Sequence, residues 1–215
     1  HYPLRRQRQM CIRDRVIAHE VQGCLAIENS LNEVGVDHVA FVKVASAAIA
    51  SKMLGQGPQK MNSTISNSFI DGQSLRTYRH FPNTGTRKSW AAGDASARGI
   101  KQAFISEVSE EIYPSALSAK TWGFNDVIMK KDSLKLQREL GSYVMDNILY
   151  KVNFPAEFHA QTAAEAAINL KKSNEFKIED IEQVEILTQE PGVRIISKQG
   201  PLKNYADRDH CIEYI

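Results

Sequence analysis

Three cysteines in 215 residues, at positions 11, 24 and 211, are too few and too scattered for a disulfide scaffold. No Cys-x-x-Cys pair exists to hold zinc or an iron–sulfur cluster, and an unpaired set of this kind suits a reducing cytoplasm. No segment approaches the run of roughly 18 apolar residues that a membrane-spanning helix needs. An excess of one charge is also missing, with 27 Lys and Arg against 25 Asp and Glu. Residues 1–15 hold five of those Arg and one of those Asp, so the remainder is slightly acidic. The positive balance is therefore a property of the N-terminal tail and offers no argument for nucleic acid.

What is present describes a globular chain: 42% hydrophobic and 24% charged residues can bury a sizeable core. From Val16 to about Phe124 the pattern is helical. Val16, Ile17, Val21, Leu25 and Ile27 give one apolar stripe, and Gly35 closes that segment. Asp37 is an N-cap for a second helix running to Leu54, which Gly55, Gly57 and Pro58 stop. Ser63 to Arg79 and Ser89 to Val108 read as two more helices, rich in Ala and Ser and suited to close packing on one another. Residues 125–147 lack a clear face and read as a connecting segment. After them, Ile148 to Asn153 alternates like a strand, Ala156 to Lys172 is helical, and Ile181 to Thr188 alternates again. The expected fold is mainly α: an Ala-rich helical domain at 16–124, then part of a small α+β lid domain at 148–215. Residues 1–15 have no apolar periodicity and resemble translated adapter sequence, so they are expected to be a non-native tail.

The densest chemistry lies between Arg76 and Gly99. Arg76, Arg79, His80, Arg87 and Lys88 stand close together, separated by Pro82, Asn83 and Gly85, which favour a turn. A helix starting near Ser89 would bring its amides and positive dipole end beside this cluster, an arrangement suited to a carboxylate or phosphate. A solvated basic loop capping a helix hairpin is the plain alternative. His38, directly after the Asp37 cap, would have its pKa lowered by the helix N-terminus and could accept a proton near neutral pH, although a lone His is more often structural.

The residues Asp-Gly-Gln-Ser-Leu-Arg-Thr-Tyr-Arg-His (71–80) and Pro-Asn-Thr-Gly-Thr-Arg-Lys-Ser-Trp-Ala-Ala-Gly-Asp-Ala (82–95) resemble the signature region of the dehydratase branch of the MmgE/PrpD family. Tyr-Pro-Ser-Ala-Leu (113–117), Trp-Gly-Phe (122–124), Gly-Ser-Tyr-Val-Met (141–145), Phe-Pro-Ala-Glu-Phe-His-Ala-Gln-Thr (154–162) and Ala-Asp-Arg-Asp-His-Cys-Ile (206–212) extend the likeness from Val16 to Ile215. Members of the family are longer, so an internal fragment is expected, without the acidic and His-containing part of the site that precedes Val16 in the family.

The resemblance implies a hydro-lyase that removes water from 2-methylcitrate in propionate catabolism, and also acts on citrate. It aligns His38, Lys88, Lys151 and Tyr214 with catalytic positions, His38 as base and Tyr214 as acid. Arg76, Arg79, His80 and Arg87 are then substrate-binding groups, since arginine pairs carboxylates in bidentate fashion. His159 and His210 are further candidates that could equally be structural. Among relatives of other activity, such as cis-aconitate decarboxylases or epimerases, a histidine often stands where this chain has Ala91, which favours the dehydratase branch. The implied partners are a small tricarboxylate and a second copy in a homodimer, with no metal or cluster, no nucleic acid and no membrane. A basic helical module that binds polyanions without catalysis is the reading of a different class.

Overall fold

The computed structural model describes residues 2–109, 111–130 and 132–215, and the chain divides into two compact units. One comprises the chain up to Arg76 together with Ser89–Ile148; the other joins Thr77–Lys88 to Leu149–Ile215.

In the first unit the helices are α1 (Tyr2–Glu28), α2 (Val39–Met53), α3 (Pro58–Ile70), most of α4 (Arg87–Val108) and the short α5 (Tyr143–Asn147). Leu25, Leu31, Val36, Ala40, Phe41, Val44, Phe69, Phe124 and Met129 form its core, with Phe69 and Phe124 edge to face at 5.1 Å. Helix α4 buries Ala91, Ala95, Gly99 and Ala103, a face repeating every four residues. A Cβ on Gly99 would sit 2.3 Å from the Lys43 carbonyl oxygen, so only glycine allows this approach of α4 to α2. The close packing expected from the small-residue run is thus real.

Two expected boundaries differ. Helix α1 runs through the stretch expected to be a non-native tail; extending an existing helix avoids the nucleation cost, and Arg, Gln and Met are adequate helix formers. Asp14, within that stretch, pairs with Lys52 at 2.5 Å. Helix α3 starts at Pro58 and ends at Ile70 instead of running from Ser63 to Arg79. There the ammonium of buried Lys43 binds the carbonyls of Asp71 and Gly72, the latter at 3.3 Å, and the chain turns extended. It then pairs with the turn before α2: Asp37 N–H donates to Ser74 O at 2.8 Å and Arg76 N–H to Gly35 O at 3.0 Å.

The segment expected to be a loose connector is held by its amides. Glu20, 1% exposed, accepts from Gly141, Tyr143 and Val144 N–H; Glu28 accepts from Gln137 and Arg138; Asn29 accepts from Lys135. Two side chains of α1 and that of Asn29, just past its end, thereby satisfy a stretch with little secondary structure of its own.

The second unit contains α6 (Gln161–Ser173), α7 (Glu190–Ile196) and α8 (Tyr205–Arg208) around Ala156, Ala160 and Ile196, packed by Phe154, Ile195 and Ile212. The strands expected at 148–153 and 181–188 are not formed. Ile148 and Ile181 have extended backbones, but no neighbouring strand supplies the ladder bonds that a sheet requires. Among the described residues the lone β-bridge is Val36 with Leu75, so the chain is mainly α throughout.

Candidate active site

In the first unit, Asp37 is fully buried and its Oδ1 accepts the Val39 N–H at 3.1 Å; the N-cap position of α2 is His38, one residue later than expected. The His38 ring is half exposed, with Nδ1 3.3 Å from Asp37 Oδ1 and 3.3 Å from the Arg76 guanidinium. Arg76 is 7% exposed and is carried there by the 35–37 and 74–76 main-chain pairing. A carboxylate and a guanidinium thus compete for one ring nitrogen. When Nδ1 carries hydrogen toward Asp37, Nε2 is left as the proton acceptor.

The remaining basic residues belong to the second unit. The 77–88 loop is anchored there by Asn204, whose Nδ2 donates to Thr84 O at 2.9 Å while its Oδ1 caps α8. Phe81 lies against Gly200, whose φ of +112° and missing side chain both accommodate the ring. Arg79 and Arg87 place their guanidinium carbons 5.1 and 5.4 Å from the centre of the Tyr78 ring, so one aromatic side chain orients two cations. His80 is half-buried, and its main chain shapes the turn, donating to Thr77 O and accepting from Asn83.

Lys88, the second residue of α4, has an 11% exposed side chain. Its ammonium hydrogen-bonds His210 Nδ1 and lies 3.4 Å from Asp209 Oδ1, which is itself 2.8 Å from the same ring nitrogen. Burial pushes the Lys88 pKa down to about 8, Asp209 opposes the shift, and the charges of Lys198 and Arg79 add to it. His210 is also lowered, first by burial and then by Lys88. Behind them Lys198 and Asp207, both almost fully buried, approach to 3.6 Å. Burial tends to raise the Asp207 pKa, yet Thr84, the Lys203 amide and Lys198 together bring it below its usual range.

Asp209, Asp207 and Lys198 are absent from the residues singled out by sequence, although the 206–212 motif contains both acids. Tyr214 is 59% exposed and lines a cavity of about 530 Å³ whose walls are mainly Phe154, Pro155, Ala156, Ala167 and Ile168, with Asp209 at its border. At His159, Glu157 accepts the backbone N–H and the ring Nδ1 accepts from Gln189 at 2.8 Å. Lys151 is exposed on the 148–153 segment with no hydrogen bond or ion pair among the described residues. The geometry therefore gathers Arg79, Arg87, Lys88 and His210 in one unit and His38 with Arg76 in the other. No group of three or more His, Cys, Asp or Glu with metal-binding geometry occurs among the described residues, and no helix is long and apolar enough to cross a membrane.

Apart from Lys151, the residues named above lie within regions that family models match. The model of the MmgE/PrpD N-terminal domain matches residues 4–137, and that of the MmgE/PrpD C-terminal domain matches residues 154–215. The chain is similar to the 2-methylcitrate dehydratase of Salmonella typhimurium, with 56% identity over 201 residues, 92% of this chain and 42% of the relative. It is equally similar to the mitochondrial 2-methylcitrate dehydratase of Yarrowia lipolytica, at 56% identity over 92% of this chain and 39% of the relative. A probable 2-methylcitrate dehydratase of Saccharomyces cerevisiae is 53% identical over 206 residues, again 92% of this chain and 40% of the relative. The chain thus spans about two fifths of the length of these relatives.

Proposed function

Because the chain belongs to the MmgE/PrpD family, we propose that its protein is a hydro-lyase that removes water from 2-methylcitrate to give 2-methyl-cis-aconitate, in the methylcitrate cycle of propionate catabolism, and that it also dehydrates citrate. The observation that carries this reading is identity above one half, across 92% of the chain, with dehydratases of a bacterium and a yeast. The side-chain chemistry supports it. The reaction takes a weakly acidic proton from carbon beside a carboxylate and expels hydroxide from the next carbon, so cations must hold the carboxylates and a base and an acid must be positioned.

Arg79 and Arg87, set on the Tyr78 ring, and Lys88 are the carboxylate-binding cations, with Arg76, His80 and Lys151 completing the basic set. His38 takes the proton through Nε2 when Asp37 holds the Nδ1 hydrogen, and Tyr214 returns one to the leaving hydroxyl. His210 acts on Lys88, and His159 supports the fold of its own unit. The reading is of a metal-free reaction, since each of these roles is filled by a side chain. It extends to a homodimer in the cytoplasm, where the free thiols Cys11, Cys24 and Cys211 suit a reducing environment.

The test is turnover of 2-methylcitrate by the full-length protein, followed by absorbance of the unsaturated product, with and without chelator. Chelator-resistant dehydration is expected, and His38→Ala should remove most of it while leaving the circular dichroism spectrum unchanged. Decarboxylation of cis-aconitate without dehydration would move the protein to another activity of the family, and a requirement for iron would overturn the metal-free mechanism. Light scattering of the same preparation tests the dimer.

A further inference from the structure

We propose that Asp209 is a positioning residue for Lys88, holding its ammonium and the His210 ring in one hydrogen-bonded trio so that Lys88 presents a charged nitrogen to an anionic ligand. The identity of that ligand, a substrate carboxylate, rests on the dehydratase reading; the trio does not. All three residues lie in the same compact unit, brought together by the main-chain bond from Glu157 N–H to Asp209 O and by the Asn204 anchor on the 77–88 loop.

The geometry makes one nitrogen the meeting point. His210 Nδ1 has either a lone pair or a hydrogen, and both Lys88 Nζ and Asp209 Oδ1 are within its reach. With Lys88 charged, Nδ1 accepts from the ammonium and the ring hydrogen sits on Nε2. With Lys88 neutral, Nδ1 carries the hydrogen and donates it to Asp209. The ring tautomer therefore follows the charge of Lys88, and the Asp209 carboxylate is the group that favours the charged form.

The other charges around the trio are accounted for. Lys198 and Arg79 disfavour a charge on Lys88, Asp207 answers Lys198, and Glu157 faces His210. Asp209 exposes 48% of its side chain, so an isosteric amide fits without repacking. A merely structural Asp209 would leave the charge balance of Lys88 alone.

The experiment is competitive acetylation of the full-length protein across pH, with Lys88 read by peptide mass spectrometry, in wild type, Asp209→Asn and Asp209→Glu. The pH of half-maximal Lys88 reactivity should fall by about one pH unit or more in Asp209→Asn, as expected for loss of a carboxylate within hydrogen-bonding distance, and should return in Asp209→Glu. The alkaline limb of kcat/KM for 2-methylcitrate should move with it. An unchanged labelling midpoint in Asp209→Asn overturns the proposal whatever the enzyme turns over. A shifted midpoint in a protein that leaves 2-methylcitrate untouched supports the trio and counts against the dehydratase reading alone.

Discussion

Replacing Lys43 with Met should change the pH dependence of stability more than stability itself. Lys43 is 3% exposed, and burial holds its pKa down to about 8, against an ordinary value of 10.5, with Asp71 partly opposing and Arg98 adding to the shift. The folded state therefore releases this proton earlier than the unfolded chain. The stabilisation is complete above the unfolded value and is lost as pH falls through about 8. Worked through for those two values, wild type gains about 2 kcal/mol between pH 7 and pH 9.5 from this residue alone.

Against that gain stand the hydrogen bonds to the Asp71 and Gly72 carbonyls, worth about 1 kcal/mol each when the amine is neutral. At pH 7 the cost of burying the charge and the value of the bonds nearly cancel, so Lys43→Met should lie within about 1–2 kcal/mol of wild type. At pH 9.5 it should be the less stable of the two by about 2 kcal/mol more than at pH 7. Urea unfolding of both proteins at four pH values measures the difference directly, free of the other lysines. A difference that stays flat within about 0.5 kcal/mol from pH 7 to 9.5 would refute the reasoning.

Three further outcomes can be checked alongside it. Glu20→Gln puts an amide donor against the Val144 N–H and removes the charge from two other bonds, which should destabilise by about 3 kcal/mol in chemical denaturation and flatten the loss of stability on acidification. The sign follows from a Glu20 carboxyl whose pKa is lowered, its backbone amides outweighing burial: its contribution is present above the unfolded value and lost as pH falls through the folded one. Gly99→Ala places a methyl against the Lys43 carbonyl and the Ala47 nitrogen, so α2 and α4 must part at about 1–3 kcal/mol, read as a lowered Tm; an unchanged Tm would mean the helices are not so close. Asn204→Ala removes both the α8 cap and the bond to Thr84 O and, on the proposed dehydratase reading, should raise KM for 2-methylcitrate; a lowered Tm with KM intact would separate the 77–88 loop from substrate binding.

Helix α2 was readable because its determinants are local: Asp37 at one end, two glycines and a proline at the other, and a periodic apolar face between them. The α4 small-residue face was readable for the same reason. The end of α3 was not, because a lysine 28 residues earlier in the chain takes the carbonyls that end it. Strand-like alternation at 148–153 and 181–188 describes faces, whereas a strand exists only with a partner beside it. Among the site residues, His38, Arg79, Arg87 and Lys88 were marked by charge density and by family likeness. Asp209 was not, since its significance depends on a lysine 121 residues away. Lys151 shows the reverse: a motif position can be aligned while its side chain stays exposed, without a hydrogen bond or ion pair among the described residues.

The grip of Glu20, Glu28 and Asn29 on the main chain of residues 135–144 bears on sequence drift. Lys135, Gln137, Arg138, Gly141, Tyr143 and Val144 are grasped through their amide hydrogens, and Val144 also packs its side chain against Gly23 of α1. Most replacements along that stretch leave the grip untouched, and proline, which has no amide hydrogen, is the exception at each of the six positions. Constraint is thereby moved from that stretch onto Glu20, Glu28 and Asn29. A saturation library should find the stretch permissive away from Val144, and Glu20, Glu28 and Asn29 nearly immutable.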